Sequence, residues 1–459
     1  MRTVLSVEAL GGIDPATDAE RLTVRVWHSP FVVDKMRVAW QLLLRPDDMP
    51  AWGVPGGVRE RGRKVRDALR AHPAIAEVLR LLAMTPVGER KPLFVMLSES
   101  EAEQICWETL CNANDEFLAL DARWPIARII EPTNERSQSP PELKLPVRMM
   151  VVVSAFGIKG QAKEWQMLRD AVVAARAAGL PIDLKVMVGD PAVRKAVQTD
   201  VDGGLADVEI APIDKTPTRL VQEIVAWSPN ILHCFCHGRS EPGFQAIEFA
   251  TALDYADAQA TQGSVKIGAG QLAAIGAQLQ NPWLLTLNCC SSGQAAKDLQ
   301  SIAHRVVSAG FPAAVAMAEP VDANDAHEFT RAFYRSLFAG IARTAKALKV
   351  EPRVAFEWSD AMVDARTAIC DLHDGDASNA REWALPLLYV RGVEPVRFER
   401  PHDQPEADVN LFKKRAQVVA EWLQTIGRQN TEAERRTIME TALMGVPKAF
   451  WPAPDGSFA

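Results

Sequence analysis

The chain has 459 residues, of which 48% are hydrophobic and 24% are charged, a composition typical of a soluble globular protein with two or three core units. Its net charge of −7 and its dispersed basic residues give no electrostatic basis for binding nucleic acid or an anionic membrane. No stretch approaches the roughly 18 apolar residues that a transmembrane helix requires. We therefore expect neither a nucleic-acid partner nor a membrane partner.

The cysteine content indicates a reducing compartment. The seven cysteines form an odd set in a long chain, and several of them lie inside apolar runs, where a buried reduced thiol is usual. The N-terminal residues lack the apolar core and the cleavage site of a secretion signal. These features predict a cytoplasmic protein.

The N-terminal part of the chain predicts a hairpin, helices and a buried strand. Apolar and polar residues alternate at 22–27 after a turn signal, which is typical of a β-hairpin. Apolar positions recur at helical spacing over residues 62–84, with an interruption near Pro73. Residues 91–97 predict a buried strand, and residues 100–110 predict a helix.

A proline- and serine-rich stretch at 132–146 is the clearest linker in the sequence. Beyond it, the pattern predicts a strand at 148–154, a helix at 161–178 and a strand at 182–188. The same rhythm continues as far as Ala313. It predicts an α/β fold, with a parallel sheet that is covered by helices on both faces.

The C-terminal part predicts a small helical appendage at 401–459. Its composition is polar, and it contains two amphipathic segments at 411–426 and 431–443. The second segment opens with Thr431 and Glu434 in the spacing of a capping box.

Two apolar runs end in reactive side chains. The run at 230–239 ends at His237 and Gly238, and the run at 282–293 ends at Cys290, which a Ser-Ser-Gly turn follows. Parallel sheets present their chemistry at the carboxyl ends of their strands. Each reactive group also precedes small residues, where backbone N–H groups can turn toward a substrate oxygen. His237 and Cys290 are therefore the reactive pair that the sequence favours.

The chemistry of this pair is that of a cysteine protease. A thiol is a poor nucleophile until an imidazole takes its proton, and the imidazole can later return that proton to the leaving amine. A histidine about fifty residues before the cysteine is the caspase-type order.

A zinc site is the first alternative, because zinc takes side chains of the types found at Cys234, Cys236, His237, Cys289 and Cys290. The Cys-x-Cys spacing is shorter than the usual zinc knuckle, and strand alternation turns His237 away from both thiols. We expect Cys234 and Cys236 to pack in the core, and we predict no metal and no other cofactor.

Other histidines, and the serines that follow Cys290, have simpler interpretations. His233 is interpreted as a core histidine, and His304 and His327 are expected to be solvated or capped because they lie in helical patterns. Ser291 or Ser292 could pair with a histidine in a serine hydrolase, but the Gly-x-Ser-x-Gly elbow is missing.

The two runs together resemble the CHAT family of caspase-like cysteine proteases. The family pattern is one apolar strand ending in His-Gly and a second ending in Ala-Cys-Glu-Ser/Thr-Gly, which here read 237–238 and 289–293. Residues 105–110 and 117–120 are similar to the family's Pro-Trp-Glu-Leu-Leu segment and the run after it. Further similar segments follow the nucleophile in the family's order, namely 309–315, 320–322 and 333–337.

The resemblance implies a fold and a set of roles. The fold is a caspase-like α/β/α sandwich, with a degenerate, non-catalytic half at 1–140 and a catalytic half at 141–400. Cys290 attacks the scissile carbonyl, and His237 serves as general base and acid. The backbone N–H groups of Gly238 and Cys290 hold the oxyanion.

Three positions depart from the family pattern, and the first two of them bear on specificity. Glu319 stands where many members have Trp, Cys289 where many have Ala, and Ser291 where many have Glu. In caspase-like folds, the primary pocket involves the positions that correspond to Asn288 and the stretch from Glu319 to Asp322. Two carboxylates there predict cleavage of a polypeptide after Arg or Lys, with Asp322 the favoured partner of the basic side chain.

Members of this family often work beside a sensor protein, so the resemblance implies a regulated protease in a bacterial defence or cell-death circuit. Residues 241–270 are rich in small and polar residues, and we expect this segment to be mobile enough to cover or complete the site. The competing hypothesis is a catalytically idle scaffold that binds its partners through the same fold, with recruitment by the C-terminal helices.

Overall fold

The computed structural model describes most of the chain, in two compact units formed by residues 1–399 and 400–459. The described residues are 1–13, 20–31, 33, 38, 40–54, 56–97, 100–131, 140–241, 244–289, 296–319, 321–401, 405–426, 431–443, 446 and 451–457.

Sixteen strands lie within the described residues of the first unit. They are β1 (Thr3–Ile13), β2 (Glu20–His28), β3 (Leu42–Leu44), β4 (Leu93–Leu97), β5 (Ile126–Ile130), β6 (Val147–Val153), β7 (Ile182–Val188), β8 (Val208–Pro212), β9 (Ile231–Glu241), β10 (Phe244–Phe249), β11 (Val265–Gly268), β12 (Leu284–Cys289), β13 (Ala313–Met317), β14 (Arg353–Phe356), β15 (Pro386–Arg391) and β16 (Val396–Glu399).

Eleven α-helices accompany these strands in the described residues of the same unit. They are α1 (Val58–Arg70), α2 (Pro73–Ala83), α3 (Ser100–Glu103), α4 (Gln161–Ala177), α5 (Pro191–Asp202), α6 (Pro217–Trp227), α7 (Ala252–Ala256), α8 (Ala269–Gln278), α9 (Ala296–Ala309), α10 (Ala323–Ala347) and α11 (Ser359–Leu372). No helix in the described part of the chain is long and apolar enough to cross a membrane.

Fourteen of the strands form one sheet, whose main path runs in the order β3-β2-β1-β4-β5-β15-β13-β12-β9-β6-β7-β8. The central strands are almost fully buried apolar runs, because helices cover both faces of the sheet. Helices α4, α10 and α11 pack together on one face, whereas α8 and α9 pack together on the other. The predicted α/β fold with a mostly parallel sheet is confirmed.

The N-terminal strands and the central strands belong to the same sheet rather than to separate sheets. Strand β15 comes late in the chain, yet it pairs in parallel with β5 on one side and antiparallel with β13 on the other. The two sequence halves therefore share one sheet, and residues 1–399 form one compact unit. Most of the linker stretch, residues 132–139, lies outside the described residues.

The predicted helix at 100–110 is wrong beyond its first turn. Helix α3 ends at Glu103, and only a short 3₁₀ turn follows at Trp107–Thr109. The backbone of this segment bonds instead to the chain near Pro50, since the N–H of Cys106 donates to the Pro50 carbonyl at 2.9 Å. These tertiary hydrogen bonds compete with the helical ones.

The segment at 241–270 is more regular than the sequence suggested. Strands β10 and β11 form an antiparallel ribbon against β9, and Thr251 opens α7 with a capping box. The buried Glu248 carboxylate accepts hydrogen bonds from Arg239 at 2.6 Å and from the Gly263 N–H at 2.8 Å. A Cβ at Gly263 would lie 2.4 Å from the Phe249 carbonyl oxygen, so this close approach requires glycine.

The second unit contains α12 (Pro405–Ile426) and α13 (Glu432–Ala442). They surround a separate small core that includes Val419, Leu423 and Met439. The predicted capping box is confirmed, because Thr431 and Glu434 exchange side-chain and backbone hydrogen bonds at the start of α13. The C-terminal segment is therefore a small helical unit with a core of its own.

A buried ion pair ties β5 to the segment before it. Arg128 and Glu108 are both fully buried, and the guanidinium donates to both carboxylate oxygens at 2.8 Å. Arg128 also donates to the carbonyls of Glu103 and Ile105. Burial by itself lowers the pKa of Arg128, but the Glu108 charge and its hydrogen bonds outweigh it, so the pKa is raised. Arg128 Nη1 also donates a long hydrogen bond to the Tyr389 hydroxyl at 3.5 Å.

We expect Arg128→Met to lower the free energy of unfolding by about 3–5 kcal/mol, because it leaves the Glu108 carboxylate buried and unpaired. Urea unfolding of the purified chain measures this loss. The exposed pair of Arg80 and Glu77 provides the control, since Arg80→Met should cost less than about 1 kcal/mol. Equal losses in the two variants would contradict the role given to the buried pair.

Candidate active site

The carboxyl ends of adjacent parallel strands create the candidate site. Strands β6, β9, β12 and β13 lie side by side and run in the same direction. His237 directly follows the part of β9 that pairs with β12, which ends at Cys236, and it is 8% exposed. Gly238 follows it and stands opposite Ile247 of β10. The sequence-predicted histidine therefore lies at the edge where an α/β sheet carries its chemistry.

The His237 ring is held in one tautomer. Its Nε2 lies 2.7 Å from the carbonyl oxygen of Phe156, and a carbonyl can only accept a hydrogen bond. The proton of a neutral ring is therefore on Nε2, which leaves a lone pair on Nδ1. Within the described residues, the buried Nδ1 atom has no hydrogen-bond partner. The ring is thus arranged to accept a proton at Nδ1.

Strand β12 pairs with β9 as far as Cys289, the residue before the candidate nucleophile in the sequence. Thr286 pairs with His233, Asn288 with Phe235, and Cys289 with Cys236. The nucleophile candidate Cys290 lies outside the described residues, as do residues 291–295 and the side chain of Cys289.

Alternation along β9 separates two sets of side chains. Cys234 and Cys236 are fully buried thiols, as expected from the sequence. His233 and Phe235 contact α10 instead, because the His233 ring lies against Tyr334 and the Phe235 ring stacks on His327 at 5.8 Å. The face that carries His233 and Phe235 is therefore the α10 face of the sheet.

A buried carboxylate lies under this face. Glu164 of α4 is fully buried, and its Oε1 accepts hydrogen bonds from Thr330 at 2.7 Å and from the Asn288 amide at 2.9 Å. His327 Nδ1 lies 2.7 Å from Oε2, and His233 Nε2 lies 3.0 Å from Oε1. Glu164 thus connects α4, β9, β12 and α10 at one point.

The protonation of Glu164 follows from these contacts. Burial by itself would raise the pKa of the carboxyl group, but the hydrogen bonds and charges of His233 and His327 outweigh burial and lower the pKa to about 2. Glu164 is therefore ionised at neutral pH, and its charge is compensated by the donors around it.

Two further contacts fix the position of this network. Tyr334 donates to Thr286 at 2.9 Å, and His233 Nδ1 lies 3.0 Å from the Tyr334 hydroxyl. Gly160 precedes α4 with φ of 91°, and a Cβ there would lie 3.2 Å from His327 Nε2. Only glycine adopts this conformation without strain, so Gly160 lets α4 begin close to His327.

The expectation that His327 is solvated or capped is wrong. The side chain is 2% exposed and belongs to the Glu164 network. The sequence correctly placed His327 in a helix, but this face of α10 packs against β9 and is therefore buried. The interpretation of His233 as a core histidine is confirmed, since it is fully buried and held by Glu164 and Tyr334.

The three predicted substrate-binding residues have different surroundings. Asn288 is fully buried, with its amide nitrogen on Glu164 and on the Ala326 carbonyl at 3.1 Å. Glu319 is 6% exposed and already has two partners, the Gly53 N–H at 2.6 Å and Arg381 at 2.8 Å.

Asp322 differs from Glu319 because its side chain is exposed. It caps α10 by accepting a hydrogen bond from the Asn324 N–H at 2.8 Å. It also lines a cavity of about 260 Å³, together with Lys163, Asp325 and His327. Of the two predicted carboxylates, Asp322 is thus the one without a basic partner in the described residues.

Phe156 and Glu164 were missed by the sequence analysis. Phe156 acts through its backbone carbonyl, which leaves no signal in a sequence. Glu164 could have been noticed, because it occupies the apolar stripe of α4 that also contains Leu168 and Ala171. A charged residue on a buried helix face predicts a paired site.

The chain matches the family model described as the CHAT domain over residues 59–357. This region includes β9, β12 and the Glu164 network. The chain therefore belongs to the CHAT domain family, as its two reactive segments predicted. No curated protein matches the sequence.

Solved structures similar to this chain include cysteine proteinases of low sequence identity. The Arg-specific cysteine proteinase gingipain R is 10% identical, with a TM-score of 0.40 over 73% of this chain and 71% of that chain. The Saccharomyces cerevisiae separase–securin complex at 2.6 Å is 11% identical, with a TM-score of 0.32 over 73% of this chain and 17% of that chain. The same complex at 3.0 Å is 10% identical, with a TM-score of 0.38 over 87% of this chain and 30% of that chain.

We expect Glu164→Gln to change how stability depends on pH. The folded-state pKa of about 2 is below the ordinary value of about 4.3, so the wild-type carboxylate stabilises the fold above pH 4.3. This contribution, on the order of a few kcal/mol, is lost as pH falls toward 2.

The wild type should therefore have a higher free energy of unfolding than Glu164→Gln at pH 5, and this difference should shrink as the pH is lowered to 2. Chemical unfolding experiments measure both values. Glu394→Gln is the control, because Glu394 is exposed and its replacement should leave the pH dependence unchanged. A difference between wild type and Glu164→Gln that is constant with pH would contradict this account of the network.

Proposed function

We propose that the protein is a cysteine endopeptidase that cleaves a polypeptide partner through a dyad of His237 and Cys290. The observation that carries the proposal is the orientation of the His237 ring. The Phe156 carbonyl holds the Nε2 proton, and the buried Nδ1 has no other partner among the described residues. This is the arrangement that a general base for a thiol requires.

The family motif supports Cys290, rather than Cys289, as the nucleophile. In that motif the nucleophile directly precedes Glu-Ser/Thr-Gly, and the corresponding residues here are Cys290 and 291–293. Strand β12 leads to this motif and ends at Cys289, whose backbone pairs with Cys236 of β9. The choice of Cys290 therefore rests on the motif that follows β12.

The proposed reaction uses each group in turn. The Cys290 thiol gives its proton to Nδ1 of His237, and the thiolate attacks the scissile carbonyl. The backbone N–H groups of Gly238 and Cys290 hold the oxyanion. Such a donor contributes on the order of 10²–10³ in rate in other hydrolases. His237 then returns the proton to the leaving amine, and water hydrolyses the thioester with His237 as base.

We also propose that the two halves of the chain have different roles. Residues 1–140 are the degenerate, non-catalytic half, and residues 141–400 contain the dyad. Because β15 pairs with β5, the N-terminal half extends the sheet of the catalytic half. One contact of this half with the segment that follows β13 is the hydrogen bond from the Gly53 N–H to Glu319. The N-terminal half would thereby help to position the segment around Glu319.

A role in a bacterial defence or cell-death circuit, under the control of a sensor protein, stays a prediction from the family resemblance. Strands β10 and β11 in the segment at 241–270 pair as an antiparallel ribbon beside β9.

We expect His237→Ala and Cys290→Ala each to lower the rate of peptide cleavage by roughly 10³-fold or more, because each removes one half of the proton transfer. Cys289→Ala is the matched control and should retain most of the activity. Cleavage of a fluorogenic peptide library, after circular dichroism has verified folding, measures these rates.

Equal losses on changing Cys289 and Cys290 would contradict the assignment of the nucleophile. A partner protein that binds wild type and Cys290→Ala equally, and that neither of them cleaves, would favour the idle scaffold instead.

For the substrate, we propose cleavage after Arg or Lys, with Asp322 binding the basic side chain. Asp322→Asn should lower cleavage after basic residues at least tenfold, and it should change cleavage after uncharged residues much less. Glu319→Gln should have the smaller effect on this preference, because Arg381 already neutralises that carboxylate.

Profiling with a peptide library measures the preference in all three proteins. A preference for Asp would contradict the proposal. A basic preference that survives both Asp322→Asn and Glu319→Gln would show that other residues form the pocket.

A further inference from the structure

We propose that a groove between α10 and α11 binds a small anion that carries several negative charges, of the phosphate type. The groove has a volume of about 470 Å³, which is within the range of small-molecule sites. It is separate from the proposed dyad, because its walls come from the later turns of α10, from α11 and from the segment before β4.

The sequence of α10 places a row of arginines along this groove. Arg331, Arg335, Ala339 and Arg343 follow one another at intervals of four residues, so they lie on one face of the helix. The three arginines and Ala339 are all exposed. Arg90 faces the groove from the segment before β4. The wall formed by α10 is therefore strongly cationic, in a chain whose net charge is −7.

The four arginines of the groove differ in the hydrogen bonds that they make. Arg331 pairs with Glu328, and Arg90 pairs with Asp360. By contrast, Arg335 and Arg343 make no hydrogen bond and no ion pair within the described part of the chain. Both side chains line the groove. Their donors are therefore available to a ligand.

Carboxylates around the groove reduce this charge without cancelling it. Asp360 and Asp364 of α11 line the groove, and Glu328 pairs with Arg331, so four arginines face three carboxylates. The Asp360 carboxylate is held by Arg90, and the charge of Arg343 also acts on it. Two apolar side chains, Pro125 and Val363, are buried at the base, and such surroundings strengthen the attraction between a bound anion and the arginines.

Phosphate groups fit this arrangement better than single carboxylates do. A guanidinium binds phosphate oxygens through two parallel hydrogen bonds, which lysine cannot provide. Arg335 and Arg343 are two helical turns apart, a rise of about 12 Å, and their long side chains can reach toward each other. An anion with two linked phosphates can contact both groups.

Titration calorimetry with inorganic pyrophosphate on the full chain tests the proposal. We expect one saturable site in the wild type and binding at least tenfold weaker in the double variant Arg335→Ala/Arg343→Ala. Arg194→Ala is the matched control, because Arg194 is also an exposed helical arginine but lies outside the groove. Its affinity should stay within twofold of the wild type.

Arg335→Gln gives a second test that does not depend on folding of the double variant, and it should also weaken binding clearly. Absence of saturable binding to the wild type would overturn the proposal. So would equal weakening by Arg194→Ala, which would indicate unspecific attraction. Binding of an acidic peptide without binding of pyrophosphate would assign the groove to a protein partner and would likewise overturn it.

Discussion

The buried carboxylate of Glu164 is the contact on which the candidate site depends. A fully buried charge is tolerated only when it is compensated, and here three hydrogen-bond donors and the nearby His233 ring surround it. Because these four groups come from β9, β12 and α10, the carboxylate fixes the relative positions of the strands that carry His237 and the cysteines. The network is therefore the support of the site as well as a part of the core.

His237 shows how the same edge combines support with reactivity. Its Nε2 is engaged by the Phe156 carbonyl, whereas its buried Nδ1 has no partner in the described residues. His233 lies on the same face, with Nδ1 3.0 Å from the Tyr334 hydroxyl and Nε2 3.0 Å from Glu164 Oε1, although its Nε2 makes no hydrogen bond among the described residues. The two rings differ in their neighbours, because a backbone carbonyl holds His237 whereas side chains surround His233.

The sheet links the N-terminal part of the chain to the site. Strand β15 pairs with β5 and β13, and the Arg128–Glu108 pair holds β5 against the segment that precedes it. Glu319, which follows β13, accepts a hydrogen bond from Gly53 of the N-terminal part. The N-terminal half is thus a structural part of the same unit.

The sequence by itself determined the α/β class, most strands and helices, the family, and the candidate histidine on a buried strand. These features depend on local patterns, namely apolar runs, helical spacing and a short motif. Tertiary structure alone decided the tautomer of His237, the burial of His327, the partners of Glu319 and the pairing of β10 with β9 and β11. Each of these depends on a backbone carbonyl or a side chain that is distant in sequence, and composition and periodicity carry no information about which distant groups meet.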